Sequence, residues 1–289
     1  MIPYDSLIVF AYPWGKRAVK KLEKGKDWHT NEGVLRAADV HEAGYGDVIE
    51  TSLGTPVRIE KATLFDRLTG IKRRTQIVYP KDIAYICLKL GAGPDQRIIE
   101  AGCGSGGLTA ALSWQCGPSG EVISHDAREE FVKLARRNLE WAGLGENTRI
   151  YCRDIAEGFV EGDGDALFLD VREPWLYLDQ AFAAVKPGAT LGFLVPTTSQ
   201  IDSLLRAMER RPLGEIEISE IFIRDWKPLP DRLRPRDRMI AHTCFLIFCR
   251  KETASEKFAA YGSLDTRQRK QAAARAARLE SADEDRDEE

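Results

Sequence analysis

Three aspartates, Asp126, Asp154 and Asp170, each close a short apolar or β-branched run. The first follows the stretch Gly102-Cys103-Gly104-Ser105-Gly106-Gly107 by about 20 positions. A strand-end carboxylate can accept hydrogen bonds from two neighbouring hydroxyls. A glycine loop leaving a strand and opening a helix lets a ligand approach the backbone. The free N–H groups of the first helical turn then attract its polar or anionic end. Each aspartate also has a plainer role. Asp126 fits a helix N-cap, Asp154 fits a cap on the turn Ile155-Ala156-Glu157, and Asp170 fits an ordinary strand-end carboxylate. Three such acids in register behind a glycine loop favour a ligand site, because strand carboxyl ends in a parallel sheet share one edge.

The elements that must hold these residues begin near Lys81. Strand-like runs at Arg97–Glu100, Glu121–His125, Arg149–Arg153, Ala166–Val171 and Thr190–Val195 alternate with helical patterns at Leu108–Trp114, Glu129–Ala142, Leu176–Val185 and Ser199–Arg210. That rhythm predicts an α/β fold with a mostly parallel sheet and helices on both faces. Two longer strand candidates, Glu215–Trp226 and Thr243–Arg250, follow with no helix between them, predicting a closing hairpin-like pair with one antiparallel strand at the sheet edge. The first seventy residues read differently. Leu7–Tyr12, Asp47–Leu53 and Pro56–Leu64 look like short strands punctuated by glycines, with no long helical periodicity. The expected organisation is a small β domain over 1–74, an α/β domain over 75–252, and a tail over 253–289. The tail's composition suggests a helix over Gln268–Leu279 and a disordered acidic end.

The glycine spacing bears on the cofactor. A dinucleotide site calls for Gly-x-Gly-x-x-Gly, whose third glycine allows close helix–strand packing. Here the order is Gly102-x-Gly104-x-Gly106-Gly107, and no hydride-transfer partner is evident. This pattern is commoner for S-adenosyl-L-methionine. On that reading Gly102, Gly104, Ser105, Gly106, Gly107 and Leu108 line the methionine end, and Asp126 takes the ribose hydroxyls. Phe131 offers an apolar wall to the adenine, and Asp154 accepts from its amino group.

Bulk properties narrow the class. No apolar run approaches the length needed to span a bilayer. The start lacks a charged region followed by an apolar one, so a cytoplasmic protein without membrane partners is expected. Six cysteines are scattered without a Cys-x-x-Cys pair and histidine is sparse, which points to reduced core thiols and no metal site. The net charge of −3 hides a segment, 280–289, with seven acids and one arginine; the remaining chain carries +3. That mildly basic balance is compatible with an RNA substrate.

The motifs together resemble one family. Thr75-Gln76-Ile77-Val78-Tyr79-Pro80-Lys81-Asp82, then Glu100-Ala101-Gly102-x-Gly104-Ser105-Gly106-Gly107-Leu108-Thr109, then Asp170-Val171-x-x-Pro174-Trp175, then His242-Thr243-x-Phe245-Leu246 are similar, in order and spacing, to the tRNA (adenine-N1-) methyltransferases that act on the T-loop adenine at position 58. The resemblance spans roughly residues 25–251. Cys103 and His125 depart from its usual pattern. It implies a class I methyltransferase domain, Rossmann-like with a seven-stranded, mostly parallel sheet, behind a small N-terminal β domain. It also implies a homotetramer, binding of S-adenosyl-L-methionine and a tRNA substrate. Asp170 is implied as catalytic, between donor methyl and target base, with Tyr79 beside the base; the adjacent adenine is a further candidate target.

Adenine chemistry gives Asp170 a reason to be there. Methylation at N1 leaves the ring cationic, and a carboxylate at the exocyclic amine stabilises that charge and can take an N6 proton. Trp175 reads either as a stacking face or as core packing. Tyr79 reads either as a base contact or as a junction residue. Extruding a T-loop adenine costs a few kcal/mol, so phosphate contacts are expected from Lys72, Arg73, Arg74, Lys81, Arg172 and the arginines at 232, 234, 236 and 238; the last four read equally well as a subunit interface. Two other readings compete: a class I methyltransferase acting on a protein or small molecule, and a non-catalytic tRNA-binding subunit. The intact loop, Asp126 and Asp170 argue against the second.

Overall fold

The computed structural model describes residues 1–74 and 78–253. The chain opens with β1 (Leu7–Ala11), β2 (Arg17–Lys21), β3 (Trp28–Thr30), β4 (Gly33–Leu35), α1 (Ala37–Glu42), β5 (Val48–Glu50) and β6 (Pro56–Lys61). Four of these strands form an antiparallel sheet in the order β2-β1-β6-β5, and β3 pairs with β4 in a separate hairpin. Strand β1 reads as an unbroken apolar run because both its faces are covered. Ile8 and Phe10 enter the core of this lobe, while Leu7 and Val9 face the opposite way, into a small cluster with Ala62, Val19 and Trp141. Trp141 belongs to the second lobe, so alternate residues of one strand bind the two lobes together.

The expected strand over Pro56–Leu64 ends at Lys61, and a helix, α2 (Leu64–Gly70), begins instead. Its start is fixed by a capping box. The Thr63 hydroxyl accepts from the Asp66 N–H, and the Asp66 carboxylate accepts from the Thr63 N–H at 3.0 Å. A helix of two turns is too short to display a period, so α1 and α2 leave no helical pattern in the sequence.

The second lobe runs α3 (Pro80–Leu90), β7 (Arg97–Ala101), α4 (Gly107–Cys116), β8 (Glu121–Asp126), α5 (Glu129–Ala142), β9 (Thr148–Cys152), β10 (Gly164–Leu169), α6 (Leu178–Ala184), β11 (Val185–Val195), α7 (Thr198–Met208), β12 (Leu213–Ser219), β13 (Trp226–Lys227), β14 (Arg234–Pro235) and β15 (Phe245–Lys251). Seven strands form one sheet in the order β12-β15-β11-β10-β7-β8-β9. Strands β7 to β11 are parallel; β15 runs antiparallel between β11 and the edge strand β12. This is the class I methyltransferase sheet with a small β lobe before it. The expected strand over Glu215–Trp226 breaks after Ser219, and β13 and β14 form a hairpin of their own. Helices cover both faces of the large sheet. Ile98, Val122 and Phe168 pack on one side, and Ile99, Ile123, Leu167 and Leu169 on the other. The central strands are therefore apolar throughout rather than alternating.

The strand order reverses between β10 and β7, and register aligns the ends there. Ala101 pairs with Leu169 on one side and His125 on the other. The next residues, Gly102, Asp170 and Asp126, thus emerge together at the point where open α/β sheets bind ligands. The Gln268–Leu279 helix and the acidic end fall outside the described residues, as do Thr75, Gln76 and Ile77.

Candidate active site

The loop after β7 is folded onto the acids beside it. Gly102 has φ +91°, and a Cβ there would collide with the Asp170 carbonyl. Its N–H donates to the His125 carbonyl at 2.9 Å, and the Asp170 N–H donates to Ala101 at 2.9 Å. Gly106, also left-handed at φ +79°, caps α4 and lies close enough to Ala135 and Leu139 of α5 that a Cβ would crowd both. Asp126 is buried. One carboxylate oxygen accepts from the Gly104 N–H at 3.1 Å, the other from the Arg128 N–H at 3.0 Å. The Arg128 Nε also reaches the second oxygen at 3.4 Å and the Cys103 thiol approaches the first at 3.9 Å, long contacts beside the two amide bonds that fix the carboxylate as an acceptor.

Two cavities meet at Asp170. One, about 230 Å³, is lined by Gly102, Asp126, Arg128, Asp154, Asp170 and Tyr177 among others. The second, about 290 Å³, is lined by Tyr79, Asp82, Asp170, Leu194, Gln200 and Thr243 among others. Arg172 and Val171 border both. Burial, and then the nearby Glu100 and Asp126 charges, push the Asp170 carboxyl up to about 7. A carboxyl poised there can stabilise a neighbouring cation or take a proton near neutral pH. Glu100, at the end of β7, is buried and accepts from the Thr109 and Ser124 hydroxyls at 2.6 and 2.7 Å; burial raises its pKa.

The second cavity rests on a buried ion pair. Lys81 Nζ donates to Asp82 at 2.7 Å and to the Thr243 hydroxyl at 2.6 Å, and that hydroxyl donates to the other Asp82 oxygen at 2.9 Å. Both charged side chains are almost fully enclosed. Their bonds join the start of α3 to the start of β15 across some 160 residues. Beside them, His242 Nδ1 lies 2.6 Å from a Glu220 oxygen and Nε2 lies 2.8 Å from the Pro196 carbonyl. A carboxylate and a carbonyl only accept, so these partners favour the doubly protonated ring. The bond to Glu220, then that to Pro196, raises its pKa.

Four of the expected cofactor residues, Gly102, Asp126, Asp154 and Asp170, line the first cavity together. Asp154 also caps its turn, accepting from the Ala156 N–H at 2.9 Å. Gly104, Ser105, Gly106 and Gly107 do not line that cavity; they form the loop and helix start that pin Asp126 and pack on α5. Leu108 turns its side chain into the core. Phe131 is a correction: it is buried beneath Arg128, whose guanidinium lies 3.9 Å from the ring centroid, and Ile155 lines the cavity instead. Trp175 packs on the core around α6, and Tyr177, two residues on, reaches the cavity. Lys81 is a second correction: its buried pairing with Asp82 removes it from the phosphate contacts. Tyr79 does reach the second cavity. Asp82 and Thr243 stand in the family motifs without a role of their own there, because their pairing crosses the fold, and nothing local in the sequence marks Tyr177 as a cavity residue. His125, which departs from the family pattern, sits in an aromatic cluster with Tyr151 and Phe159. Among the described residues no group of His, Cys, Asp and Glu could hold a metal ion. No described helix is long and apolar enough to cross a membrane.

Residues 68–243 match the family model described as the tRNA methyltransferase complex GCD14 subunit. The chain is 33% identical over 234 residues to the tRNA (adenine(58)-N(1))-methyltransferase TrmI of Thermus thermophilus, covering 81% of this chain and 92% of that one. It is 30% identical to the Methanocaldococcus jannaschii enzyme named for adenines 57 and 58, again covering 82% and 92%. Among solved structures, one titled an S-adenosylmethionine-dependent O-methyltransferase, from Thermotoga maritima, is 41% identical with TM-score 0.83, covering 88% of this chain and 96% of that one. TrmI of Aquifex aeolicus is 36% identical with TM-score 0.76, covering 88% and 99%. The family model spans more than half of this sequence, and the Thermus relative aligns along four-fifths of it, so the chain belongs to the tRNA methyltransferase family of the GCD14 subunit.

Proposed function

We infer that this chain transfers a methyl group from S-adenosyl-L-methionine to N1 of adenine 58 in the tRNA T-loop. The observation that carries the reading is Asp170, shared by two adjoining cavities of different lining. The first suits the cofactor: left-handed glycines hold the loop back, and Asp126 presents an acceptor carboxylate, fixed by two backbone amides, to the ribose hydroxyls. Asp154 keeps one oxygen for the adenine amino group while the other caps its turn. The bound cofactor supplies a methyl already activated by its sulfonium. The chain then aligns and desolvates the base, and stabilises the charge that develops on it. Asp170 accepts the N6 proton or holds its charge, and Tyr79 packs beside the base in the second cavity.

The assembly reading is a homotetramer. Ile216, Ile218, Phe222, Ile223, Trp226 and Leu229 are each exposed along and shortly after β12. Apolar side chains exposed in this way support a subunit interface. The cytoplasmic reading rests on six cysteines that are all free thiols.

Primer extension on unmodified tRNA treated with the protein and cofactor tests the function. An N1-methyl blocks Watson–Crick pairing, so a new reverse-transcriptase stop at adenine 58 is expected. A protein that methylates a peptide pool and leaves tRNA untouched would replace this reading with that of a different class I methyltransferase.

A further inference from the structure

A third concavity, about 760 Å³, runs along the seam between the lobes and shares no lining residue with either cavity at Asp170. One wall is β2 and the chain after it; the other is α5, and 70–74 form the floor. Seven cations line it against one carboxylate, Glu23. Glu23 pairs with Lys26 at 2.9 Å, and Asp5 lies 3.6 Å from Lys21. Among the described residues no carboxylate pairs with the other five: Lys20, Lys72, Arg73, Arg74 and Arg137.

Like charges gathered in a concave seam repel one another, and an open surface would let them spread. Here the framework fixes them. Lys20 lies on β2, whose register against β1 places it opposite Ile8. The segment carrying Lys72 is clamped to α5 by Asn138, whose side chain accepts from the Lys72 N–H at 3.1 Å and donates to its carbonyl at 2.8 Å. The same Asn138 donates to the Ser105 carbonyl at 2.7 Å, and the Arg74 N–H reaches the Ser105 hydroxyl at 3.3 Å. The floor of the seam is thereby tied to the glycine loop.

The aromatic groups in the seam are already engaged. Trp28 stands edge-on to Phe10 with centroids 4.9 Å apart, and Trp141 packs over Gly70 and Val19 at the lobe junction. The groove therefore offers positive charge and little stacking surface. That chemistry suits a phosphodiester backbone rather than unstacked bases.

We propose that the seam groove carries the sugar–phosphate backbone of the RNA substrate, anchoring it independently of sequence while the target adenine enters the cavity at Asp170. The proposal rests on the tRNA reading above and adds the place where affinity is generated. Lys20 and Arg137 stand on opposite walls, so a backbone in the groove meets both.

The test is tRNA binding by the full chain across a salt series, comparing wild type with Lys20→Glu/Arg137→Glu, with each single replacement, and with Arg210→Glu, a single charge reversal outside the groove. For the double variant, Kd at physiological salt is expected to rise at least tenfold. Its plot of log affinity against log salt is expected to flatten by roughly 1.5, close to two lost phosphate contacts. KM for tRNA is expected to rise more than kcat falls. Arg210→Glu is expected to track wild type. Cofactor affinity, measured by calorimetry, reports whether the double variant is folded; should it be lost, Lys20→Ala and Arg137→Ala carry the same slope test singly. Wild-type affinity and slope in the groove variants would overturn the proposal while leaving the tRNA reading standing. Failure of the wild-type chain itself to bind or methylate tRNA would defeat that reading instead. Loss of polyglutamate binding with tRNA binding intact would reassign the groove to an acidic protein segment.

Discussion

The backbone carbonyl of Asp170 occupies the space that a Cβ on Gly102 would require. The first glycine of the loop and the acid at the tip of β10 are thus packed backbone to backbone. Gly102 also holds φ +91°, a conformation costly for any residue with a side chain.

Gly102→Ala is therefore expected to act on stability and site together. The strain and the collision should lower stability by about 2–4 kcal/mol. Cofactor affinity should fall at least tenfold. Thermal melts and calorimetry check this; a variant with wild-type melting and cofactor binding would mean that the loop is not built as described.

Asp126→Ala is expected to weaken cofactor binding by ten- to a hundredfold while sparing tRNA affinity. Because Asp126 also pins the Gly104 and Arg128 amides, part of that loss comes from the loop. A cofactor analogue lacking the ribose hydroxyls separates the two contributions. It should discriminate against wild type far more than against the variant, and equal discrimination would remove the ribose assignment.

Asp170 gives a pH signature. Its carboxyl, pushed up to about 7, is protonated below that value and must be ionised to accept a proton. Turnover should fall roughly tenfold per pH unit on the acid side, with a midpoint at or below 7, since a neighbouring cation favours the carboxylate. A flat profile between pH 5.5 and 8 would exclude that role. Stability moves the opposite way. A carboxyl whose folded pKa is raised stabilises the fold below its unfolded pKa, and that contribution is lost as pH rises through the folded value. Asp170→Asn should thus gain stability over wild type progressively between about pH 4 and 7. The gain should reach about 1 kcal/mol, small because the residue keeps some solvent contact. The same variant should lose turnover by at least a hundredfold.

The Lys81–Asp82 pair predicts an asymmetry. Lys81→Met strands an enclosed carboxylate and should cost about 3–5 kcal/mol, whereas Lys81→Met/Asp82→Leu should recover most of that stability. The double variant should still lose turnover, because Thr243 is left without its partners at the second cavity. Additive losses in denaturant melts would show that the pair is not buried as a unit.

The sequence by itself determined the alternation of strands and helices, the glycine loop, and the acids at the strand ends. Each of these is a local pattern, written in apolar periodicity and in residues a few positions apart. It also placed Asp170 at a strand end beside Asp126 and Asp154, while the resemblance to the family singled it out among the three. Only the tertiary structure decided that Phe131 is shut beneath Arg128 while Tyr177 lines the cavity, since burial of one face of α5 is settled by what packs on it. It likewise decided that Lys81 is spent on Asp82 and Thr243, and that Lys20 and Arg137 share a groove with Lys72. The Lys81–Thr243 bond and the shared groove join residues tens to more than a hundred positions apart, and strand order and register, rather than local preference, bring them together.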